Sequence, residues 1–127
     1  LSQADYVLLC TPVTPATTHI INAARLQKMK PDAYLINVAR GTLVDERALI
    51  AALKARRIAG AALDVFEQEP LPADSEFWSL DNVLITPHTA AVTEKLWDRH
   101  CDLIVENLRR FLDGRPLLNQ VDKKRGY

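Results

Sequence analysis

A histidine, an arginine and several carboxylates lie where apolar runs of the sequence stop. Arg40 and His88 each follow such a run, and only a proline separates His88 from its run. Asp64 lies in the end of a third run, and Glu67 and Glu69 come shortly after it. A guanidinium binds a carboxylate through two parallel hydrogen bonds, and a histidine beside a carboxylate can pass a proton to or from a hydroxyl. These residue types therefore indicate a site that binds an acid group and transfers a proton.

Each of these side chains also has an ordinary structural interpretation. Arg40 alone is typical of a surface ion pair, Asp64 of a turn cap, and the two glutamates of solvated loops. His88 alone is typical of a loop or capping residue. Trp78 and Trp97 are interpreted as packing anchors rather than as platforms for a ligand. Only the convergence of four segments on one edge of a sheet favours a functional site over four unrelated structural residues.

The apolar runs that position these residues have the length and composition of buried parallel strands. The run at residues 6–10 is apolar throughout, as expected for a strand covered on both faces, and the other three are mainly apolar. The segments between the runs have helical periodicity. Strands joined in this way pair in parallel through right-handed crossovers, and open α/β sheets bind ligands at their carboxyl edge. The sequence therefore predicts an α/β fold. The predicted strands are residues 6–10, 34–38, 61–65 and 83–86.

Three segments between and after the strands are predicted to be helices. Asn22 can cap the first, which is expected to reach Met29. Asp45 can cap the second, and Gly60 is its expected C-terminal stop. The third is expected over residues 93–112, where apolar residues recur at three-, four- and seven-residue steps. The chain thus alternates strands and helices and closes on one long helix.

Composition and charge narrow the classes of function. The chain has 127 residues, and its sixteen basic and sixteen acidic side chains cancel, so neither nucleic acid nor a membrane is an expected partner. No apolar run approaches the roughly 20 residues of a membrane span. Cys10 and Cys101 have no metal or redox spacing, so we expect two buried thiols in a reducing, cytoplasmic compartment and no metal site. Because the chain begins with Leu1, the native amino terminus is expected to lie upstream.

Three long motifs carry a resemblance to a known family. The stretches "INVARGTLVDERALIAAL", "GAALDVFEQEPLP" and "NVLITPHTAAVT" resemble the D-isomer-specific 2-hydroxyacid dehydrogenase family. The stretches "PHTAAVT" and "VDKKRGY" are most similar to its glyoxylate and hydroxypyruvate reductase branch. The resemblance implies the C-terminal half of a Rossmann-like, doubly wound parallel sheet plus a long C-terminal helix. Residues 1–91 would be the second half of the dinucleotide-binding domain, and residues 92–127 a connecting helix and tail that return to the substrate domain.

The resemblance also implies a role for each residue at the sheet edge. Arg40 matches the substrate-binding arginine and His88 the catalytic acid/base, while Glu69, not Glu67, matches the glutamate that pairs with the histidine. Asp64 matches the aspartate near the nicotinamide carboxamide. The residues that match cofactor-contacting positions, on the adenosine side or in the loops that line the cofactor, are Thr11, Pro12, Val38, Ala39, Arg40, Asp64, His88, Thr89, Ala90 and Ala91.

The implied reaction is a hydride transfer between a nicotinamide cofactor, NAD or NADP, and a small 2-keto or 2-hydroxy acid. Glyoxylate or hydroxypyruvate is the expected substrate, ahead of D-3-phosphoglycerate, D-lactate and formate, and a homodimer is the expected assembly. The four glycines cannot form the phosphate-binding G-x-G-x-x-G motif, and the residue that selects NAD or NADP is missing with it. We therefore expect the chain alone to bind a dinucleotide poorly and to be catalytically inert.

Two other functions fit the same fold. Transcriptional corepressors that resemble these dehydrogenases use the dinucleotide as a conformational switch, and Arg40, Glu69 and His88 do not contradict such a binding module. An NAD-binding domain of another dehydrogenase class would leave the stretches "DVFEQEP" and "TPHTAA" unexplained. Fast turnover of a small keto acid would distinguish the enzyme from the binding module.

Overall fold

The computed structural model describes residues 1–126, and the chain divides into two compact units, Leu1–Ala90 and the residues from Ala91 onward. The first unit contains a sheet of four parallel strands in the order β1, β2, β3, β4. The predicted α/β fold is confirmed. The strands are β1 (Tyr6–Leu9), β2 (Tyr34–Asn37), β3 (Gly60–Leu63) and β4 (Val83–Ile85).

The register of the sheet aligns the carboxyl ends of its strands. Leu9 of β1 pairs with Asn37 of β2, and Asn37 pairs with Leu63 of β3. Leu63 pairs in turn with Ile85 of β4. The loops that follow the four strands therefore begin side by side at one edge of the sheet.

The helices between the strands begin at the predicted caps. α1 (Ala23–Leu26) is capped by Asn22 and α2 (Glu46–Lys54) by Asp45. Each capping oxygen accepts a backbone N–H of the first turn, at 3.2 and 3.0 Å respectively. α1 is shorter than predicted because the residues after Leu26 form hydrogen bonds to the third preceding residue instead of the fourth. This tighter turn extends to Met29, the predicted end of the helix.

The buried face of α2 is the predicted one. Leu49, Ala52 and Leu53 are buried, whereas Lys54 is exposed. Full burial of a leucine side chain contributes about 1.5–3 kcal/mol to folding. This packing holds the connection between β2 and α2 against the sheet.

Two short 3-10 helices, absent from the sequence-based prediction, complete the first unit. One, Gly41–Leu43, follows β2, and the other, Glu76–Ser79, precedes β4. Their apolar side chains Leu43 and Phe77 are 0% and 1% exposed and join the core. Both connections are therefore packed segments, and their buried side chains help to position the strand ends.

Helices of this unit cover one face of the sheet. Successive strands lie side by side in chain order, so right-handed crossovers place α1 and α2 on the same face. On the other face Leu8, Ile36, Ala62 and Leu84 lie side by side in register, and Leu8 and Leu84 are 55% and 65% exposed. The expectation of strands covered on both faces is therefore wrong for the described residues.

Gly60 has a different role from the predicted helix stop. α2 ends at Lys54, the chain reverses through Arg56 at φ 50°, and Gly60 is the first residue of β3. A Cβ on Gly60 would lie 2.6 Å from the carbonyl oxygen of Asn82. Glycine is therefore required here for the close approach of the segment that leads into β4.

The second unit is built on one long helix. α3 (Leu96–Leu112) starts three residues after the predicted start, because the preceding residues form a turn without a side-chain cap. The Asn107 side chain accepts the backbone N–H of Leu118 at 2.7 Å and donates to its carbonyl oxygen at 3.3 Å, which ties the tail to the helix. No helix among residues 1–126 is long and apolar enough to cross a membrane.

The cysteines and tryptophans are more exposed than predicted. Cys10, directly after the edge strand β1, and Cys101, on α3, are both exposed thiols. Trp78 and Trp97 are 55% and 72% exposed. The prediction of buried thiols is wrong within the described chain, and neither indole is buried there as a packing anchor would be.

Candidate active site

The loops after the four strands carry the predicted site residues to one edge of the sheet. Hydrogen bonds join the loops after β3 and β4 directly, whereas the loop after β1 lies two strands from β3. Ala91 is the first residue of the second unit. In chain order the predicted residues of the first unit are Thr11 and Pro12 after β1, residues 38–40 after β2, Asp64 and Glu69 after β3, and residues 88–90 after β4.

His88 and Glu69 form a close pair. Nδ1 of His88 lies 2.7 Å from Oε2 of Glu69, and Oε1 of Glu69 accepts the backbone N–H of Phe66 at 3.0 Å. The hydrogen bond with His88, followed by that with Phe66, lowers the pKa of Glu69, and the charge of Arg40 acts in the same direction. Glu69 is thus held as a carboxylate against Nδ1, and Nε2 is the ring atom of His88 that can exchange a proton with a ligand.

The backbone of His88 turns its ring toward Glu69. Its φ is 54°, in the left-handed region, and its N–H donates to the carbonyl oxygen of Asp64 at 2.9 Å. A residue other than glycine in this conformation costs about 1–3 kcal/mol and is retained only where its surroundings enforce it. The sharp turn after Pro87 therefore places the histidine at the strand end instead of extending the strand.

Asp64 braces the loop that carries His88. It is 3% exposed, and its Oδ1 accepts the Thr86 hydroxyl at 2.5 Å and the Thr89 N–H at 2.8 Å, while its Oδ2 accepts the Ala90 N–H at 2.8 Å. Burial acts to raise the pKa of Asp64, but the hydrogen bonds outweigh burial and the pKa is lowered. Asp64 is therefore a buried carboxylate whose partners are the backbone and hydroxyl groups around the histidine.

A buried asparagine fixes the loop that carries Arg40. Asn37, the last residue of β2, is 1% exposed; its Nδ2 donates to the Arg40 carbonyl at 2.9 Å and its Oδ1 accepts the Ala39 N–H at 3.1 Å. The Arg40 side chain is exposed, and its Nη1 donates to the Ala39 carbonyl at 2.6 Å. The guanidinium therefore lies on the open edge, where a carboxylate can reach it.

Gly41 joins the Arg40 loop to the Glu69 loop. A Cβ on Gly41 would lie 1.9 Å from the carbonyl carbon of Phe66, a distance that no side chain can occupy. The two backbones therefore touch at this point. The separation between Arg40 and the His88–Glu69 pair depends on this contact.

Several residues that hold the site in place were not singled out in the sequence. Asn37 and Thr86 are polar residues in or beside apolar runs, which is a signal that the sequence does contain. His19 and Glu46 both contact Glu67. The His19 ring lies 2.9 Å from the Glu67 carboxylate, and Glu46 accepts the Glu67 N–H at 2.7 Å. These two are 48 and 21 positions from Glu67, so no local spacing could reveal them.

A cleft of about 500 Å³ opens beside the His88–Glu69 pair. Its wall is mainly apolar and includes Trp78, whose indole N–H donates to the carbonyl oxygen of Pro72 at 2.8 Å. Its polar groups belong to Asp64, Thr86 and the histidine–glutamate pair. Apolar clefts of this size with a few convergent polar groups are typical of small-molecule sites.

The described residues fit one part of a dinucleotide. Val38 and Ala90 are exposed small side chains beside Arg40 and His88, which leaves space for a flat ring against the backbone. Within residues 1–126 no turn has the glycine spacing that cradles a pyrophosphate. No three His, Cys, Asp or Glu side chains of the same residues are grouped so that they could hold a metal ion.

Comparison with known families gives a match over most of the chain. Residues 1–90 match the model described as D-isomer specific 2-hydroxyacid dehydrogenase, NAD binding domain. A solved D-isomer specific 2-hydroxyacid dehydrogenase from Xanthobacter autotrophicus Py2, in complex with NADPH and MES, has a TM-score of 0.92 and 50% identity. That comparison covers 100% of this chain and 52% of the solved one.

Two curated relatives cover nearly the whole chain. A glyoxylate reductase of Thermofilum pendens is 50% identical over 124 residues, which are 98% of this chain and 37% of the relative. A glyoxylate/hydroxypyruvate reductase B of Enterobacter agglomerans is 46% identical over 122 residues, which are 96% of this chain and 38% of the relative. The chain therefore spans well under half the length of either protein.

Proposed function

Because the chain belongs to the D-isomer specific 2-hydroxyacid dehydrogenase family, we propose that the whole protein is an NAD(P)-dependent reductase of a small 2-keto acid. The observation that carries the proposal is the 2.7 Å contact between His88 Nδ1 and Glu69 Oε2, at the sheet edge that also carries Arg40. It pairs a proton donor with a carboxylate that stabilises the charged form of the donor, as reduction of a keto group requires.

His88 is the proton donor in the proposed reaction. Its Nε2 protonates the keto oxygen, while Glu69 orients the ring and stabilises the imidazolium before the transfer. The guanidinium of Arg40 binds the substrate carboxylate bidentately and holds the keto oxygen near His88. A nicotinamide bound at this edge supplies the hydride to the keto carbon.

The proposed cofactor is NAD or NADP. We assign the adenosine side to Thr11 and Pro12, and the lining of the nicotinamide side to residues 38–40, Asp64 and residues 88–91. Residues 1–91 are proposed as the C-terminal half of the dinucleotide-binding domain, and residues 92–127 as the helix and tail that return to the substrate domain. The pyrophosphate cradle then belongs to a part of the whole protein outside this chain.

Glyoxylate or hydroxypyruvate is the proposed substrate. The two curated relatives described above carry these names, which also makes the reductase a better-supported function than a dinucleotide-sensing corepressor. D-3-phosphoglycerate, D-lactate and formate are weaker options. We also propose a cytoplasmic homodimer, and the uncovered face of the sheet supports association.

The test follows nicotinamide absorbance in the whole protein with NADPH or NADH and a set of keto acids. The acids are glyoxylate, hydroxypyruvate, pyruvate and phosphohydroxypyruvate. Loss of a general acid typically costs about 10²- to 10⁴-fold in rate, so turnover should collapse by that factor in His88→Ala. His100→Ala, which removes an exposed histidine of α3, is the matched control. Tight dinucleotide binding without turnover of any acid would contradict the reductase and favour a cofactor-sensing module.

A further inference from the structure

The loop after β3 carries a second histidine–carboxylate pair. Oε1 of Glu67 lies 2.9 Å from Nε2 of His19, and the Glu67 N–H donates to Oε1 of Glu46 at 2.7 Å. His19 belongs to the connection between β1 and α1, and Glu46 is the first residue of α2. Glu67 therefore ties two other segments to the loop that carries Glu69 two residues later.

The position of His19 is set independently of Glu67. Its backbone is in the left-handed region at φ 49°, and its N–H donates to the Thr42 carbonyl at 2.9 Å. Two residues further on, Ile21 forms an isolated parallel bridge with Val44. The connection after β1 is thus fastened to the connection after β2, and the imidazole of His19 is presented to Glu67 from a fixed backbone.

We propose that Glu67, held by His19 and Glu46, is a positioning residue for the catalytic pair of His88 and Glu69. This inference rests on the proposed function of that pair. Phe66 connects the two glutamates. Its N–H donates to Oε1 of Glu69 at 3.0 Å, and its carbonyl forms the peptide bond with Glu67. A shift of residue 67 therefore moves the donor that orients the Glu69 carboxylate toward His88 Nδ1.

The energetics favour a geometric role over a stabilising one. The side chains of His19 and Glu67 are 48% and 37% exposed, and polar side-chain pairs at such exposure contribute little to folding. The arrangement also places Glu67 near a second carboxylate. Burial raises the pKa of Glu46, the hydrogen bond from the Glu67 N–H lowers it, and the charge of Glu67 raises it again, with a net increase. The contact with the His19 ring keeps the Glu67 side chain in this place.

The test compares Glu67→Ala and Glu67→Gln in the whole protein by steady-state kinetics. Glu67→Ala removes the acceptor for His19, and kcat should fall by about 10- to 100-fold, since a displacement of about 1 Å near a reacting group can cost 10²-fold. KM for the keto acid should change little, because Arg40 binds the acid and lies on another loop. Glu67→Gln keeps an acceptor oxygen for His19, so it should restore most of the rate.

The matched control is Asp81→Ala, which removes the acceptor of another exposed ion pair, between Asp81 and Arg56 at 2.6 Å. Its kcat, KM and melting temperature should equal those of the wild type. Wild-type kcat in Glu67→Ala would overturn the inference. Equal losses in the Ala and Gln variants, accompanied by a lower melting temperature, would also overturn it, because they would indicate a general loss of structure.

A second readout separates this inference from the proposed function. If the wild type reduces none of the acids, the proposed function fails, and the positioning role is then judged by ¹³C NMR titration of the Glu69 carboxyl. The pKa of Glu69 should rise toward its ordinary value of 4.5 in Glu67→Ala, because the bonds from His88 and Phe66 weaken. An unchanged pKa of Glu69 in that variant would overturn the inference whatever the activity.

Discussion

At the scale of single residues, the orientation of the His88 ring depends on the carboxylate beside it. Glu69 accepts hydrogen bonds from the His88 ring and from the Phe66 N–H, and both lower its pKa. The glutamate therefore remains charged across the neutral range and into mild acid. Its Oε2 engages Nδ1 of His88, which leaves Nε2 as the ring atom that can face a keto oxygen.

Glu69→Gln should change the pH dependence of reduction in the whole protein. The wild type loses the Glu69 carboxylate as pH falls through its lowered pKa, whereas an amide does not titrate, so the acid limb of kcat/KM against pH should flatten in the variant. The profile is measured with glyoxylate and hydroxypyruvate. Glu76→Gln, at an exposed glutamate paired with Lys54, should keep the wild-type profile. An acid limb as steep in Glu69→Gln as in the wild type would contradict the proposed pairing.

Asp64 gives a prediction of stability that the chain itself can test. Its pKa in the folded chain is lowered from the ordinary value of 3.8, so its contribution to the free energy of unfolding is present above that value and is lost as pH falls through the folded pKa. Asp64→Asn should lower the free energy of unfolding at neutral pH by about 1–3 kcal/mol, because the amide cannot satisfy all three donors that the carboxylate accepts. It should also flatten the dependence of stability on pH in the acid range.

Urea unfolding at neutral and acid pH measures both effects of Asp64→Asn. Asp74→Asn, at an exposed carboxylate of the loop after β3, is the control and should leave the unfolding midpoint unchanged. A variant as stable as the wild type at neutral pH would show that Asp64 does not brace the His88 loop.

At the scale of elements, backbone contacts between loops set the distances within the site. Gly41 begins the 3-10 helix after β2 and touches the backbone of Phe66 after β3. Asn37, the last residue of β2, holds the loop that follows β2. Asp64, the residue directly after β3, holds the loop after β4. The site is thus built from three loops, and the loop after β3 is in direct contact with each of the other two.

Gly41→Ala should push the loops after β2 and β3 apart. The overlap of the added Cβ with the Phe66 backbone should lower the free energy of unfolding by about 1–3 kcal/mol, as overpacking typically does. In the whole protein, KM for the keto acid should rise because Arg40 moves away from the His88–Glu69 pair. Thermal unfolding and steady-state kinetics measure the two effects. Thr42→Ala, at the exposed neighbouring side chain, should show neither, and a wild-type melting temperature in Gly41→Ala would refute the contact.

At the scale of the whole molecule, an uncovered apolar face of the sheet is the main feature outside the site. Leu8, Ile36, Ala62 and Leu84 form a continuous row across four strands, and Tyr6 and Tyr34 stack beside it with ring centroids 5.8 Å apart. Contiguous apolar surface of this kind usually marks a contact with another protein or segment. We therefore expect the chain alone to associate with itself.

Leu84→Lys should reduce this self-association without destabilising the fold, because the side chain is 65% exposed. Sedimentation of the chain over a range of concentrations measures the effect. Ala51→Lys introduces the same charge at an exposed position of α2 and should leave association unchanged. A wild-type chain that remains monomeric at all concentrations would contradict the prediction.

The sequence by itself determined the features that local patterns encode. Apolar runs with helical segments between them predicted a parallel α/β sheet, and Asn22 and Asp45 were recognisable as caps because a cap and its N–H partner lie within three residues. Strand ends meet at one edge in any parallel sheet, so the convergence of Arg40, Asp64 and His88 followed from topology. The choice of Glu69 over Glu67 came from resemblance to a family, and the catalytic and cofactor-binding roles remain predictions.

The tertiary structure alone decided which distant groups meet. It showed that Glu67 is held by His19 and Glu46, that Gly41 touches Phe66, and that Gly60 serves a close approach instead of ending a helix. It also left one face of the sheet uncovered. The physical reason is that these contacts join residues tens of positions apart, through packing that no short-range period of the chain encodes, whereas helices, strands and caps depend on neighbours within a few residues.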